Sequence, residues 1–285
     1  MFNLLPASLY TTYKGSTYRA LSPRIWSRFH GQAMAPDGSD QAFIIGSDLR
    51  AFGKTFAVAS NVGRYNCEGC HYLSYEDTSD SIAQIATDRN GAVTFTSAAT
   101  DNNESWLQPG DTASVMGLIS DTAGDDKMLA FECRVKLGQL AETAGFWGLS
   151  EEGLAAADTL VDDTGALASK DFIGFHVAAH ATAPEIDFVY RKAGQTAQVL
   201  IDALKVVVAD TYYNLGFIYD PKADTTKRIT IYLDNAEQTT YVTGTQIAAA
   251  TFPDGEELQP LFGQKVGAAA AKTTTLDSWA FGQIG

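Results

Sequence analysis

Period-two alternation of apolar and polar residues is what most narrows the folds open to this chain. Phe131, Cys133, Val135 and Leu137 alternate with Glu132, Arg134 and Lys136. On a strand that spacing puts the apolar set on one face and the charged set on the other. The rhythm returns in Ile173, Phe175 and Val177 against Phe172, Gly174 and His176, and in Ile186, Phe188 and Tyr190 against Asp187, Val189 and Arg191. Tyr213, Leu215, Phe217 and Tyr219 form a run closed by Asp220-Pro221. Ile229, Ile231 and Leu233 form another, closed by the turn signal Asp234-Asn235. Residues 55–59, 91–96 and 276–281 read as further strands. Helical text is scarce: the Ala-rich stretch 151–160 predicts one or two turns, and 245–251 another short piece. With no βα alternation and no fixed repeat, the pattern predicts an all-β sandwich or barrel.

Composition allows a sizeable core. The 285 residues are 45% hydrophobic and 19% charged, which excludes a disordered chain. No apolar run reaches the roughly 18 residues of a membrane helix, and the first ten residues lack the charge and length of a secretory signal. Three cysteines do not make a disulfide scaffold, so a reducing compartment is expected. The net charge of −14 would repel phosphate backbones, so neither nucleic acid nor membrane is expected as a partner. Charge is also unevenly placed. Residues 1–36 carry Lys14, Arg19, Arg24 and Arg28 and no acid, whereas all 34 acids lie beyond them. Residues 1–45 are aperiodic, with Tyr10, Tyr13, Trp26 and Phe29 scattered among Ser, Thr and Gly. They read as an extended basic arm that needs another surface to bury its aromatics, with the sandwich at 46–285.

Motifs with chemical content are few and incomplete. Cys67-Glu68-Gly69-Cys70-His71 has the spacing of covalent haem attachment, and its two thiols could share a zinc ion with Cys133 or His30. A second CxxC is missing, so reduced cysteines in a turn are the favoured reading, with no metal and no cofactor. Glu185-Ile186-Asp187 places two carboxylates on one strand face, as retaining glycosidases require, but Val189 and Tyr190 stand where a second Glu should be. Asp121, Asp125 and Asp126, and Asp158, Asp162 and Asp163, read as solvated loop acids rather than calcium ligands. His176 and His180 do not face each other on a strand, and no nucleophile elbow, P-loop or dinucleotide fingerprint is present. The chain is therefore expected not to be an enzyme.

The order of landmarks resembles that of the concanavalin A-like, laminin-G-like jelly rolls in virion proteins of tailed bacteriophages. Residues 91–95 are followed by Thr100-Asp101-Asn102-Asn103-Glu104, then by the Phe-Glu-Cys-Arg-Val core of 131–135 and Gly145-Phe146-Trp147-Gly148-Leu149. Next come 171–177, Tyr213-Asn214-Leu215-Gly216-Phe217-Ile218-Tyr219-Asp220, 229–235, and the closing Leu276-Asp277-Ser278-Trp279. The progression covers about two thirds of the chain and leaves the first 90 residues outside it. It implies a lectin-like sandwich of two antiparallel sheets in a virion, assembled in the host cytoplasm.

The reading that follows is a capsid cement or decoration protein bridging neighbouring shell subunits. Its partners would be the capsid protein and copies of itself, and its arm anchors Tyr10, Tyr13, Arg19, Arg24, Trp26, Arg28 and Phe29. The alternative is a glycan-binding module of a tail or fibre, with Trp106, Trp147 and Asp162 as its site. A degenerate glycosidase is the third.

Overall fold

The computed structural model describes residues 22–26, 42–47, 49, 53–57, 61–67, 70–85, 91–110, 116–122, 127–179 and 184–284. In chain order the strands are β1 (Ala42–Ser47), β2 (Gly53–Ala57), β3 (Val62–Cys67), β4 (Cys70–Glu76), β5 (Ser81–Gln84), β6 (Val93–Ser97), β7 (Glu104–Pro109), β8 (Gly117–Leu118) and β9 (Leu129–Leu137). They continue as β10 (Thr143–Ser150), β11 (Phe172–Val177), β12 (Glu185–Arg191), β13 (Gln198–Val206), β14 (Tyr212–Tyr219), β15 (Ile229–Leu233), β16 (Ala236–Val242), β17 (Glu257–Val266) and β18 (Lys272–Ile284). Two short helical turns, α1 (Pro23–Trp26) and α2 (Gly244–Ile247), complete the described elements.

The strands form two antiparallel sheets. One runs β16-β15-β14-β9-β18-β6-β5, with β1 also paired to β18. The other runs β13-β12-β11-β10-β17-β7-β4-β3-β2, with β8 also on β17. The expected jelly-roll sandwich is therefore present. Its inner faces supply one continuous core: Phe131, Leu215, Phe217 and Phe281 from the first sheet, and Trp147, Phe175, Phe188 and Phe262 from the second. Phe131 lies 5.6 Å from the ring of Phe217 in its own sheet and 6.1 Å from Phe262 across the gap. The Trp279 indole donates to the Tyr72 hydroxyl at 3.1 Å, a second tie between sheets. Cys133 sits in this core at 1% exposure and acts as a small hydrophobe.

Some expectations shift. The sandwich starts earlier than residue 46, because β1 pairs Ala42 with Ile284 and Ser47 with Trp279. Residues 151–160 form turns rather than a helix. Gly153 and Asp158 adopt left-handed φ of 75° and 59°, which interrupts any helix. The apolar residues of this stretch are instead used as a cover, described below. The Cys67-x-x-Cys70 motif is a hairpin, with Cys67 and Cys70 opposite each other where β3 turns into β4. Among the described residues no group of three or more His, Cys, Asp or Glu side chains is placed to hold a metal.

Phe131→Ala removes the ring that joins both sheets. It should lower unfolding free energy by about 3–5 kcal/mol, read as a drop in the urea midpoint at unchanged slope.

Candidate functional site

Antiparallel register fixes which side chains share the outer face of the ten-stranded sheet. Glu104, Trp106, Tyr75, Phe146, Gly263, Lys265, His176 and Asp187 all point there, opposite in register to one another in successive strands. Gly263 makes room for Trp106, since a Cβ at that position would lie 2.4 Å from the indole. The middle of this face is not open. The segment between β10 and β11 folds across it, and Leu154, Ala155, Leu160 and Leu167 pack on Trp106, Phe146 and Phe172 in a second apolar cluster.

Polar side chains from the sheet hold that flap down. Lys265 donates from Nζ to Asp162 Oδ1 at 2.6 Å and to the Leu160 carbonyl at 3.0 Å. Glu104 Oε1 lies 3.7 Å from the same ammonium. Glu104 also accepts from the Trp106 indole at 2.8 Å and from the Asp158 backbone N–H. His176 Nε2 donates to the Gly165 carbonyl at 2.7 Å, and Asn102 is twice bonded to Asp163. Both Glu104 and Lys265 are 2% exposed. Burial pushes the Glu104 carboxyl up to about 7, against the lowering effect of Lys265 and its other donors.

The residues expected to bind a glycan are thus structural. Trp147 points between the sheets into the main core. Trp106 is fully buried under the flap with its N–H committed to Glu104. Asp162 is the flap's counter-ion for Lys265. Of the strand acids Glu185 and Asp187, Asp187 accepts from the Ala203 N–H at 2.8 Å, at a bulge where Ala203 has φ 51°. A cleft of about 440 Å³ is lined by Glu151, Glu152, Asp171, Glu256 and Glu257. Of these, Glu151 pairs with Lys170, Glu256 with Lys192, and Asp171 accepts from the Ala193 N–H.

The outer face of the eight-stranded sheet carries the site that alternation alone did not reveal. Glu132 should face water, yet it is 5% exposed. Residues 22–26 cover it. The Ser22 N–H donates to both carboxylate oxygens at 3.0 Å, and the Trp26 indole donates to Oε2 at 2.6 Å. Ile25 and Trp26 pack on Ala130, Ile218, Tyr232, Ala280 and Ile284. Ile25 enters a notch left by Gly216, where a Cβ would lie 2.5 Å from its Cδ1. Trp26, expected as an anchor on another chain, is thus seated on its own sheet, while Arg24 remains exposed. Tyr10, Tyr13, Arg19, Arg28 and Phe29 lie outside the described residues.

Comparison with known proteins supports the fold. Solved structures similar to this chain include a protein of unknown function from Shewanella oneidensis MR-1, with TM-score 0.52 and 14% identity over 94% of this chain and 97% of that one. An endo-β-1,4-glucuronan lyase from the fungus Trichoderma reesei gives TM-score 0.50 and 10% identity, covering 84% and 94% of the two chains. Peanut lectin gives 0.46 and 13%, covering 85% and 97%. No family model and no curated protein matches the sequence. At these identities the likeness concerns the fold alone, a jelly-roll sandwich of two antiparallel sheets.

Two outcomes test these assignments. Lys265→Met leaves Glu104 buried without its cation and should destabilise by about 3–5 kcal/mol. The double variant with Glu104→Gln should recover most of that loss in urea melts. For Glu132, burial is the largest influence and raises the carboxyl from 4.5 to about 7, although the Ser22 and Trp26 donors pull it down. The folded state therefore holds the proton more tightly than the unfolded one. Its contribution is complete below about pH 4.5 and is lost as pH rises through 7. Glu132→Gln mimics the neutral form. Wild type should match it near pH 4 and fall about 3 kcal/mol below it by pH 8.5.

Proposed function

We propose that this chain is a non-catalytic structural component of a bacteriophage particle, a cement or decoration protein that bridges neighbouring shell subunits. The observation that carries the reading is the flap. The sheet face that would have to meet a polymer is sealed by the chain's own residues, and its acid, base and indole satisfy one another. A rigid sandwich with a basic arm and an acidic body suits mechanical bridging. The phage setting rests on the sequence progression set out above. The lectin-like jelly roll favours a second reading, glycan binding at a surface other than the flap-covered face.

The test is cosedimentation of full-length protein with phage shells that lack it. Replacing Arg19, Arg24 and Arg28 by Ala removes three positive charges of the basic arm, each worth ~0.5 kcal/mol in a solvent-screened contact. Binding should weaken by about tenfold, and added salt should reproduce the loss. No binding to shells, together with saturable binding on a glycan array, would move the assignment to the second reading. Polysaccharide cleavage that vanished in Glu185→Gln would overturn both.

A further inference from the structure

The contact between residues 22–26 and the eight-stranded sheet is a key in a socket. The key is Ser22, Ile25 and Trp26. The socket is the Glu132 carboxylate, the Gly216 notch and the apolar floor of Ala130, Ile218 and Ala280. Everything that seats the key belongs to one sheet face, and nothing in it depends on which copy of the chain supplies the key.

The connection to the body decides what the key can do. Residues 27–41, fifteen in all, separate Trp26 from Ala42. Yet the two ends of that stretch meet in one place. Ala42 pairs with Ile284, and Ile284 belongs to the cluster that holds Ile25 and Trp26. A chain of fifteen residues reaches about 50 Å when extended, so the tether is far longer than its own socket requires. It is long enough to cross to the socket of an adjacent domain of this size.

We propose that the Glu132 socket is a junction between copies of this chain, filled by Ser22–Trp26 of a neighbour when copies are crowded together. Exchange swaps identical contacts, so it costs no burial or hydrogen bonds and is driven by local concentration. The inference deepens the cement reading by naming the contact that would link copies on a shell.

The test uses two full-length variants. Trp26→Ala removes the key and keeps the socket; Gly216→Ala keeps the key and fills the notch. In sedimentation velocity at high protein concentration, wild type should associate and each variant alone should run as a monomer. A mixture of the two should regain association, because one of the two symmetric junctions is whole. A monomeric wild type, or a mixture no different from its components, would overturn the proposal. Should Gly216→Ala misfold, a photo-cross-linking residue at the exposed position 24 replaces it, in a mixture of light- and heavy-nitrogen protein. Cross-links joining light arm to heavy body support exchange, and same-isotope cross-links alone refute it. A chain that binds shells but gives only same-isotope cross-links keeps the cement reading and loses this one.

Discussion

Two buried carboxylates, Glu104 and Glu132, organise everything in this molecule that is not ordinary sandwich. Each lies on the outer face of a sheet, where a solvated charge would cost nothing. Each is instead covered by chain from outside the sheets. Removing a carboxylate from water is expensive unless donors replace the lost hydration. The donors are there in both cases: an indole and a backbone N–H for each acid, with Lys265 added for Glu104. Burial still dominates, which is why both carboxyls are pushed up to about 7.

The consequence for the surface is that the flap covers the middle of the ten-stranded sheet's outer face. The flap buries Trp106, Phe146 and Phe172, rings that would otherwise form an exposed aromatic platform. Charge and geometry are used to hold chain to chain. His176 and Asn102, like Lys265 and Glu104, spend their hydrogen bonds on residues 158–165. Likeness of fold does not by itself supply a site, because function resides in which side chains are free to act.

Strands with strict alternation were legible from sequence. β9, β11, β12, β14 and β15 lie where Phe131, Ile173, Ile186, Tyr213 and Ile229 announced them. β13 was not, because its bulge breaks the period: Gln-Val-Leu-Ile-Asp-Ala-Leu-Lys-Val carries a left-handed Ala203 and pairs with two register shifts. β16 was hidden differently. As a polar edge strand it has little apolar pattern to show. β10 and β17 are buried on both faces, so Gly145, Gly148 and Gly263 replaced the alternation with close approach. The covering segments were the least legible of all. Nothing in Ala-rich 151–160 says that its leucines will lie on Trp106. Ser22–Trp26 is recognisable only once Glu132 is seen to need donors.

The two covers obey the same physics but differ in how many contacts hold them. The flap is bounded at both ends by paired strands, β10 and β11, and is held at several separate points. Its departure would have to break all of these contacts together. The key at residues 22–26 docks through one acid, one notch and one indole. Its release leaves every strand paired. The flap is fixed at many points, whereas the key rests on few, and it is this smaller contact that the proposed junction between copies would share.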